Sequence, residues 1–246
     1  LVIFPELFIT GYPPRDLLEQ SWFIKQIDGA IEKIIEISNK FGDLGILIGT
    51  PEKVIIKNLN TMYNSALLFS NGKKLFTQKK SLLPTYDVFD ESRYFTAAET
   101  VELCSFKGEK LGITICEDAW NDDDLWYPKN YQIDPVKQLA EAGATILINL
   151  SASPFHTEKE HTRMTIAQNH VKKHRVPYFM VNQVGGNDEL VFDGRSFAID
   201  SEGRPIALLP SFTESILTID STCSGCLKQT KSLEEMASIY ENLKLG

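Results

Sequence analysis

The chain has 246 residues, of which 43% are hydrophobic, and this composition is typical of a single globular α/β domain with one large core. Its 25 Lys and Arg against 33 Asp and Glu give a net charge of -8 without long charged blocks, which argues against a nucleic-acid-binding protein. No apolar run approaches the roughly 20 residues that cross a bilayer, and no signal-peptide pattern opens the sequence. We therefore expect a cytoplasmic protein that binds a small molecule, with no nucleic-acid or membrane partner.

Apolar runs bounded by turn signals predict strands at residues 1–4, 44–49, 65–69, 111–116, 144–150, 178–182 and 196–199. Apolar side chains at helical spacing predict amphipathic helices around residues 27–35 and from about residue 157 to 171. A short helix is predicted between Pro135, at an early helical position, and Gly143, near the C-cap. Strands therefore alternate with helices along much of the chain.

Two hairpins are predicted within this succession. Asn71-Gly72 is the dipeptide that accepts positive φ at both central positions of a type I′ turn, and a second hairpin is centred on residues 107–109. Hairpins mixed with strand-helix-strand units predict sheets of mixed direction covered by helices, and the number of strands predicts two sheets that face each other.

Both ends of the chain look cut from something longer. The run LVIFPEL reads as a strand already under way at residue 1. At the other end, residues 233–243 have a helical pattern with Ser232 as the expected N-cap. The Ser-, Thr- and Lys-rich segment 212–231, just before this helical pattern, is predicted to be a loop or linker.

Three reactive side chains stand at the ends of predicted strands. Glu6 follows the first strand, Lys80 follows the hairpin strand, and Cys116 ends the run LGITIC. A carboxylate can take a thiol proton, and an ammonium can stabilise a thiolate and an oxyanion, so the set suits nucleophilic catalysis. The alternatives are a buried, inert cysteine and a solvated lysine at a hairpin end.

Cys116 is followed by Glu117 and Asp118, whose negative charges disfavour a thiolate. A reactive Cys116 therefore needs activation from elsewhere in the chain.

Three further patterns could indicate metal binding, and in each of them another interpretation is favoured. Cys223 and Cys226 form one C-x-x-C, but a structural zinc needs two more ligands, so a zinc or redox module there is a minor alternative. His170 and His174 stand one helical turn apart, and a solvated helix face is favoured over chelation. The run NDDD at residues 121–124 is expected to be a surface loop. We predict no metal site, and the few cysteines predict no disulfide framework.

Several segments resemble the glutamine-hydrolysing domain of the glutamine-dependent NAD synthetases, a branch of the nitrilase (carbon-nitrogen hydrolase) superfamily. They are FPELFITGYPPRDLL, KKSLLPTYDVFDESRYF, LGITICEDAW, ILINLSASPFHTEKE and VNQVGGNDELVFDGRSF. The resemblance runs from residue 1 to about residue 210, and it implies a four-layer α-β-β-α sandwich truncated at the N-terminus.

The resemblance implies a catalytic set of Glu6, Lys80 and Cys116. Glu6 would be the general base, Cys116 would form a γ-glutamyl thioester, and Lys80 with the N–H of Glu117 would hold the oxyanion. Glu91 would orient the lysine or the substrate, with an ion pair to Arg93 or Lys80 as the alternative role.

The resemblance also implies contacts to glutamine, whose α-ammonium and α-carboxylate need acceptors and donors. Those contacts fall on Tyr12, Tyr86, Glu117, Ser153 and Lys159. Glu117 would bind the ammonium. Trp120 would line the pocket or pack in the core.

By this resemblance, residues 1–211 are the glutaminase domain, and residues 212–246 are a linker and the start of a helix that leads to a synthetase domain. We expect no cofactor in the glutaminase domain, whereas the synthetase domain would use ATP and Mg²⁺ to amidate deamido-NAD. A homo-oligomer is also expected. The alternatives are a stand-alone amidase that acts on another small amide and a catalytically silent scaffold.

Overall fold

The computed structural model describes residues 1–56, 59–122, 131–222, 228–229 and 231–246. These residues form two compact units, Leu1–Val101 and Glu102–Gly246. The C-x-x-C of Cys223 and Cys226 lies outside the described residues, as do Asp123 and Asp124 of the NDDD run.

The first unit is built on a four-stranded sheet with strand order β1-β2-β3-β4. β1 runs parallel to β2, and the pairs β2-β3 and β3-β4 are antiparallel. The strand bounds are β1 Val2–Ile3, β2 Ile46–Ile56, β3 Leu59–Ser70 and β4 Lys73–Lys79. The hairpin predicted at Asn71-Gly72 is confirmed, since it joins β3 to β4 with φ values of 50° and 71°.

Helix α1, Ser21–Lys40, carries the predicted isoleucine stripe. Ile31, Ile34 and Ile35 pack against a cluster of buried residues from β2 and β3, namely Ile46, Ile48, Leu67 and Phe69. The helix forms because apolar side chains recur at its 3.6-residue period, and burying this stripe on the sheet stabilises both elements.

Gly49 on β2 lets the segment after β1 approach the sheet closely. Its N–H donates to the carbonyl of Pro5 at 3.2 Å. A Cβ atom at Gly49 would lie 2.4 Å from the Pro5 carbonyl oxygen and 2.7 Å from the Cα of Glu6. Only glycine fits here, and the close approach fixes where Glu6 leaves the strand.

The second unit is built on a seven-stranded sheet, within the described residues, of order β13-β12-β11-β8-β7-β6-β5. β6, β7 and β8 are parallel, whereas β5 and β11 pair antiparallel with their neighbours. The strands are β5 Leu103–Phe106, β6 Glu109–Ile115, β7 Ile146–Ser151, β8 Tyr178–Asn182, β11 Phe197–Ile199, β12 Pro205–Leu208 and β13 Lys228–Gln229. A separate hairpin pairs β9, Val184–Asn187, with β10, Leu190–Asp193.

The helices predicted for this part of the chain are confirmed as α2, Pro135–Glu141, and α3, Lys159–His174. Asp134 caps α2, since its side chain accepts from the N–H of Lys137 at 2.9 Å. Each helix connects two parallel strands, so the carboxyl ends of β6, β7 and β8 lie along one edge of the sheet. Reactive groups of α/β proteins are commonly found at such an edge.

The predicted N-cap at Ser232 is wrong. Helix α4 spans Glu235–Leu245 and begins after Glu234, which makes no side-chain capping bond. The hydroxyl of Ser232 instead donates to the carboxylate of Glu160 at 2.8 Å and accepts from Arg195 Nη2 at 2.5 Å. Two charged partners therefore engage this hydroxyl outside the helix.

The linker predicted at residues 212–231 has little regular structure where it is described. Leu217 and Ile219 nevertheless pack against a buried cluster of β11 and β12, so this stretch covers part of the sheet. None of the helices in the described ranges combines the length and the apolar character needed to cross a bilayer.

We expect Gly49→Ala to lower the free energy of unfolding by about 2 kcal/mol or more, because the added methyl group collides with rigid backbone. Gly29→Ala in α1 is the matched control, since no atom lies within 4 Å of the added Cβ. That control should gain roughly 0.5–1 kcal/mol from helix propensity. Urea denaturation of both variants tests this, and equal effects would contradict the packing argument.

Candidate active site

Lys80 is buried between two carboxylates in the first unit. Its Nζ atom donates to Glu6 Oε1 at 2.8 Å and to Glu91 Oε1 at 2.6 Å, and its side chain is 1% exposed. The alternative of a solvated hairpin end is therefore wrong. Two ion pairs were considered for Glu91, one with Lys80 and one with Arg93. The pair with Lys80 forms, whereas Nη2 of Arg93 lies 3.9 Å from Oδ1 of Asp16.

The backbone around Lys80 is held on both sides. Lys80 follows β4, and its N–H donates to the carbonyl of Asn64 on β3 at 2.8 Å. Its own carbonyl accepts from the N–H of Ala98 at 2.9 Å. The first bond extends the β3-β4 ladder by one residue, and the second ties Lys80 to the segment that contains Ala98.

Asn64 is a site residue that the sequence analysis missed. Its Nδ2 atom donates to Glu6 Oε1 at 2.7 Å, and the residue is 1% exposed. The signal was an asparagine inside the apolar strand MYNSALLF, where a buried amide needs a polar partner. Glu6 therefore receives hydrogen bonds from both Lys80 and Asn64.

Glu91 belongs to the same buried cluster. Tyr12, a predicted glutamine contact, donates its hydroxyl hydrogen to Glu91 Oε1 at 2.8 Å. Burial raises the pKa of Glu91 to about 7, opposed by the charge of Lys80 and reinforced by the charge of Glu6. One ammonium cannot neutralise two carboxylates, so a proton resides on the cluster at moderately acid pH.

A cavity of about 350 Å³ adjoins Glu91 in the first unit. Its wall includes Tyr12, the aromatic rings of Phe89 and Tyr94, and Arg93. Tyr86, also predicted to contact glutamine, is 47% exposed, and its ring meets Phe89 edge-on at 5.6 Å. Tyr12 and Tyr86 thus both contact Phe89, since the ring centroid of Tyr12 lies 6.2 Å from that of Phe89.

Cys116 stands on a sharp strand-to-helix turn in the second unit. β6 ends at Ile115, and Cys116 begins a 3₁₀ helix, Cys116–Ala119, with φ at 43°. Positive φ is unfavourable for a residue with a Cβ atom and persists where the surrounding structure holds it. The thiol is partly exposed, whereas Cys104 is buried and burial raises the pKa of its thiol to about 11.

Three polar contacts hold this turn. Asp118 Oδ2 accepts from the N–H of Ile115 at 2.9 Å, and Asn149 Nδ2 donates to the Cys116 carbonyl at 3.3 Å. His170 Nε2 lies 2.8 Å from the carbonyl oxygen of Ala119, which requires a proton on Nε2 because a carbonyl only accepts. The strained conformation is therefore fixed from three directions.

The solvated helix face predicted for His170 is wrong, since His170 is 1% exposed and its ring stacks on that of Tyr178. The surface loop predicted at NDDD is also wrong for its described part. Asp122 is buried and accepts from Asn169 and Lys173. Across the described ranges there is no group of three or more His, Cys, Asp or Glu side chains that could hold a metal ion.

The remaining predicted glutamine contacts belong to the second unit. Glu117 is 5% exposed and accepts from the Tyr131 hydroxyl at 3.0 Å. Ser153 is bound through its backbone, since its N–H donates to Asn182 Oδ1 at 2.8 Å. Lys159 Nζ lies 4.3 Å from the ring centroid of Trp120, a cation–π contact.

Comparison with known proteins identifies the family. A family model described as carbon-nitrogen hydrolase matches residues 1–226. The chain therefore belongs to the carbon-nitrogen hydrolase family. A relative from Synechocystis sp., named Glutamine-dependent NAD(+) synthetase, is 41% identical over 92% of this chain and 40% of its own length. The chain thus spans well under half of the length of this curated relative.

Solved structures confirm the predicted nitrilase-type α/β fold. The glutamine-dependent NAD+ synthetase from Acinetobacter baumannii, in complex with ADP, is similar with a TM-score of 0.83 and 30% identity. The match covers 99% of this chain and 44% of that one. An amidase of the nitrilase superfamily from Nesterenkonia shares the fold, with a TM-score of 0.67 and 22% identity over 85% of this chain and 72% of that one.

We expect Glu91 to make the chain less stable as pH rises. Because the pKa of Glu91 is raised to about 7, the folded chain binds a proton that the unfolded chain releases near pH 4.5. The free energy of unfolding should therefore fall by roughly 2 kcal/mol from pH 5 to pH 7.5 through this group. Urea denaturation at several pH values should show that the free energy of unfolding of Glu91→Gln lacks this fall with pH. Glu99→Gln, at an exposed position, should retain it. Equal pH dependence in all three proteins would contradict the raised pKa.

Proposed function

We propose that this chain hydrolyses glutamine to glutamate and supplies the ammonia for ATP-dependent amidation of deamido-NAD to NAD. The observation that carries the proposal is the buried Glu6-Lys80-Glu91 cluster, which lies in a chain 41% identical to a protein named Glutamine-dependent NAD(+) synthetase. A lysine shared by two buried carboxylates is costly for the fold and is typical of a catalytic site.

In the proposed reaction, the Sγ atom of Cys116 attacks the side-chain amide carbon of glutamine while Glu6 takes the thiol proton. The tetrahedral intermediate collapses, the C–N bond breaks, and Glu6 returns the proton to the leaving ammonia. Water then attacks the γ-glutamyl thioester, Glu6 takes its proton, and glutamate leaves as the thiol is restored. No oxidant or metal is needed for this sequence.

Lys80, with the N–H of Glu117, is proposed to stabilise the oxyanion of each tetrahedral intermediate. Its paired carboxylates hold the ammonium side chain in one rotamer, so little reorganisation is needed when charge develops. Glu91 supports this role through its own contact with Lys80 Nζ at 2.6 Å.

Glu117 is proposed to bind the α-ammonium of glutamine, with Tyr131 holding its carboxylate at 3.0 Å. Lys159 would bind the α-carboxylate, and its position over the Trp120 ring supports this by limiting its rotamers. Tyr12, Tyr86 and Ser153 are proposed to complete the pocket. This arrangement supplies an acceptor and a donor for the two charges of the substrate.

We further propose that the glutaminase reaction needs no cofactor, and that ATP and Mg²⁺ act in a synthetase domain of the complete protein, in a cytoplasmic homo-oligomer. A stand-alone amidase acting on another small amide is the competing function. Stimulation of glutamine hydrolysis by ATP and deamido-NAD in the complete protein would exclude that alternative.

Cys116→Ala should lower the rate of glutamine-dependent NAD formation at least a thousandfold. The rate of ammonia-dependent formation should stay within about twofold of the parent value, because only the nucleophile of glutamine hydrolysis is removed. Steady-state assays with each nitrogen source measure this on the complete protein that carries these residues. Cys104→Ala, at the buried thiol, is the matched control and should retain both activities. Loss of both activities in Cys116→Ala would overturn the proposal.

Glu117→Gln should raise KM for glutamine at least tenfold and change kcat less than threefold, since the ammonium contact is made in the ground state and the transition state alike. Glu141→Gln, at an exposed position of α2, controls for the charge change. An equal fall of kcat and kcat/KM would assign Glu117 a part in the chemistry instead.

A further inference from the structure

Asn149 contacts the turn that carries Cys116 through a buried hydrogen-bond network between β6 and β7. Its Nδ2 atom donates to the Cys116 carbonyl at 3.3 Å and to Thr114 Oγ1 at 3.0 Å, and the residue is 1% exposed. Thr114 lies directly opposite Asn149 in the register of the two parallel strands. The side chain of Asn149 therefore reaches from β7 to the first residue after β6.

The orientation of the Asn149 amide is fixed by its partners. Its Oδ1 atom accepts from the hydroxyl of Ser151, which lies two residues further along β7 and so on the same face of the sheet. The hydroxyl of Thr114 donates to the Ile148 carbonyl at 3.1 Å, so it is an acceptor toward Asn149. The Cys116 carbonyl can only accept. Turning the amide over would therefore place oxygen against oxygen, and Nδ2 faces Cys116.

The Cys116 carbonyl and the N–H of Glu117 belong to one peptide unit. A peptide unit is planar, and in its trans form the C=O and N–H bonds point in opposite directions. Within the described ranges the cis peptide bond lies between Tyr12 and Pro13, so the bond between Cys116 and Glu117 is trans. A hydrogen bond that holds the carbonyl on one side therefore fixes the direction of the N–H on the other.

This peptide unit needs such support because it follows a strained residue. The φ of Cys116 is 43°, and a backbone in that region relaxes toward commoner angles unless its neighbours hold it. Relaxation would rotate the peptide plane and carry the N–H of Glu117 with it. Asp118 binds the peptide before Ile115, whereas Asn149 binds the peptide after Cys116. Of these two side chains, Asn149 is the one that acts on the peptide of the N–H.

We propose that Asn149 is a positioning residue that fixes the Cys116–Glu117 peptide so that its N–H is preorganised as an oxyanion donor. The inference rests on the proposed function, in which that N–H stabilises the tetrahedral intermediates. A preorganised donor needs no reorganisation when charge develops, and removing one such donor lowers kcat by roughly 10²–10³ in other enzymes. Because Asn149 acts through the peptide, its loss should have a smaller effect on kcat.

The first test is the kinetics of glutamine hydrolysis by the complete protein. Asn149→Leu removes the amide at nearly constant volume and should lower kcat about 10- to 100-fold. KM for glutamine should stay within about threefold of the parent value, because the oxyanion is absent from the ground state. Asn149→Ser, whose shorter side chain withdraws the donor from the carbonyl, provides the measurement if the leucine variant does not fold.

The second test separates the oxyanion donor from presentation of the thiol. Iodoacetamide alkylates a thiol by displacement at its CH₂ carbon: the S–C bond forms, the C–I bond breaks, iodide leaves and the thiol proton is released to solvent. No negative charge develops on a carbonyl oxygen in this reaction. We therefore expect the alkylation rate of Cys116 in Asn149→Leu to stay within about threefold of the parent rate. Mass spectrometry of the peptide that contains Cys116 measures that rate.

Thr114→Val is the matched control in the same network. It removes another buried hydrogen bond of Asn149 and leaves the contact with the Cys116 carbonyl in place. We expect kcat and KM for glutamine to stay within about threefold of the parent values in this variant. A fall of kcat in Thr114→Val as large as that in Asn149→Leu would contradict a specific role of the contact with Cys116.

Three other results would overturn the inference. They are an alkylation rate that falls by the same factor as kcat, an unchanged kcat in folded Asn149 variants, and a rise in KM alone. Cys116→Ala, assayed in parallel, separates these results from failure of the proposed function. Glutamine hydrolysis by Cys116→Ala at the parent rate would refute that function. Loss of hydrolysis in Cys116→Ala together with an unchanged kcat in Asn149→Leu would refute only the role of Asn149.

Discussion

The ammonium of Lys80, buried between Glu6 and Glu91, is the interaction on which the first unit depends. Removing a charged group from water costs several kcal/mol, and two carboxylates at 2.8 Å and 2.6 Å offset that penalty while creating an excess of negative charge. The excess explains the raised pKa of Glu91, and the neutral donors Asn64 and Tyr12 stabilise the two carboxylates. The cluster joins residues that follow β1 and β4 with Asn64 of β3 and with Glu91, the first residue of a 3₁₀ helix, Glu91–Arg93. Its geometry therefore depends on several strands of the sheet at once.

The second unit applies a different constraint, because it holds Cys116 in a backbone conformation that a residue with a side chain rarely adopts. The parallel strands β6, β7 and β8 bring their carboxyl ends to one edge, where Asp118, Asn149 and the Ala119 carbonyl bound by His170 fix the turn. Strain of this kind persists only where the surroundings over-determine the conformation. Cys116 therefore differs from Cys104 in backbone geometry and exposure rather than in residue type.

Much of the fold was predictable because its signals are local. The apolar runs, the isoleucine stripe of α1 and the dipeptide Asn71-Gly72 each report on neighbouring residues through a fixed period or a required φ angle. Ser232 shows the limit of such signals, since a capping residue was expected there and Glu160 and Arg195 engage its hydroxyl instead. The prediction of a solvated face for His170 was wrong for the same reason. Helical spacing places His170 on one face of α3, but only the packing of α3 near the 3₁₀ helix Cys116–Ala119 determines that this face is buried.

The candidate site, like the fold, has features that local sequence patterns predict and features that they do not. The apolar runs predicted that Glu6, Lys80 and Cys116 follow strands, and the resemblance to the carbon-nitrogen hydrolases indicated their chemistry. Tertiary structure alone decided that Lys80 is buried, that Glu91 shares its ammonium, and that Asn64 and Tyr12 each bind one carboxylate. The physical reason is that protonation and hydrogen-bond partners depend on burial and on distances between residues as far apart in sequence as Tyr12 and Glu91, and no local pattern records those distances.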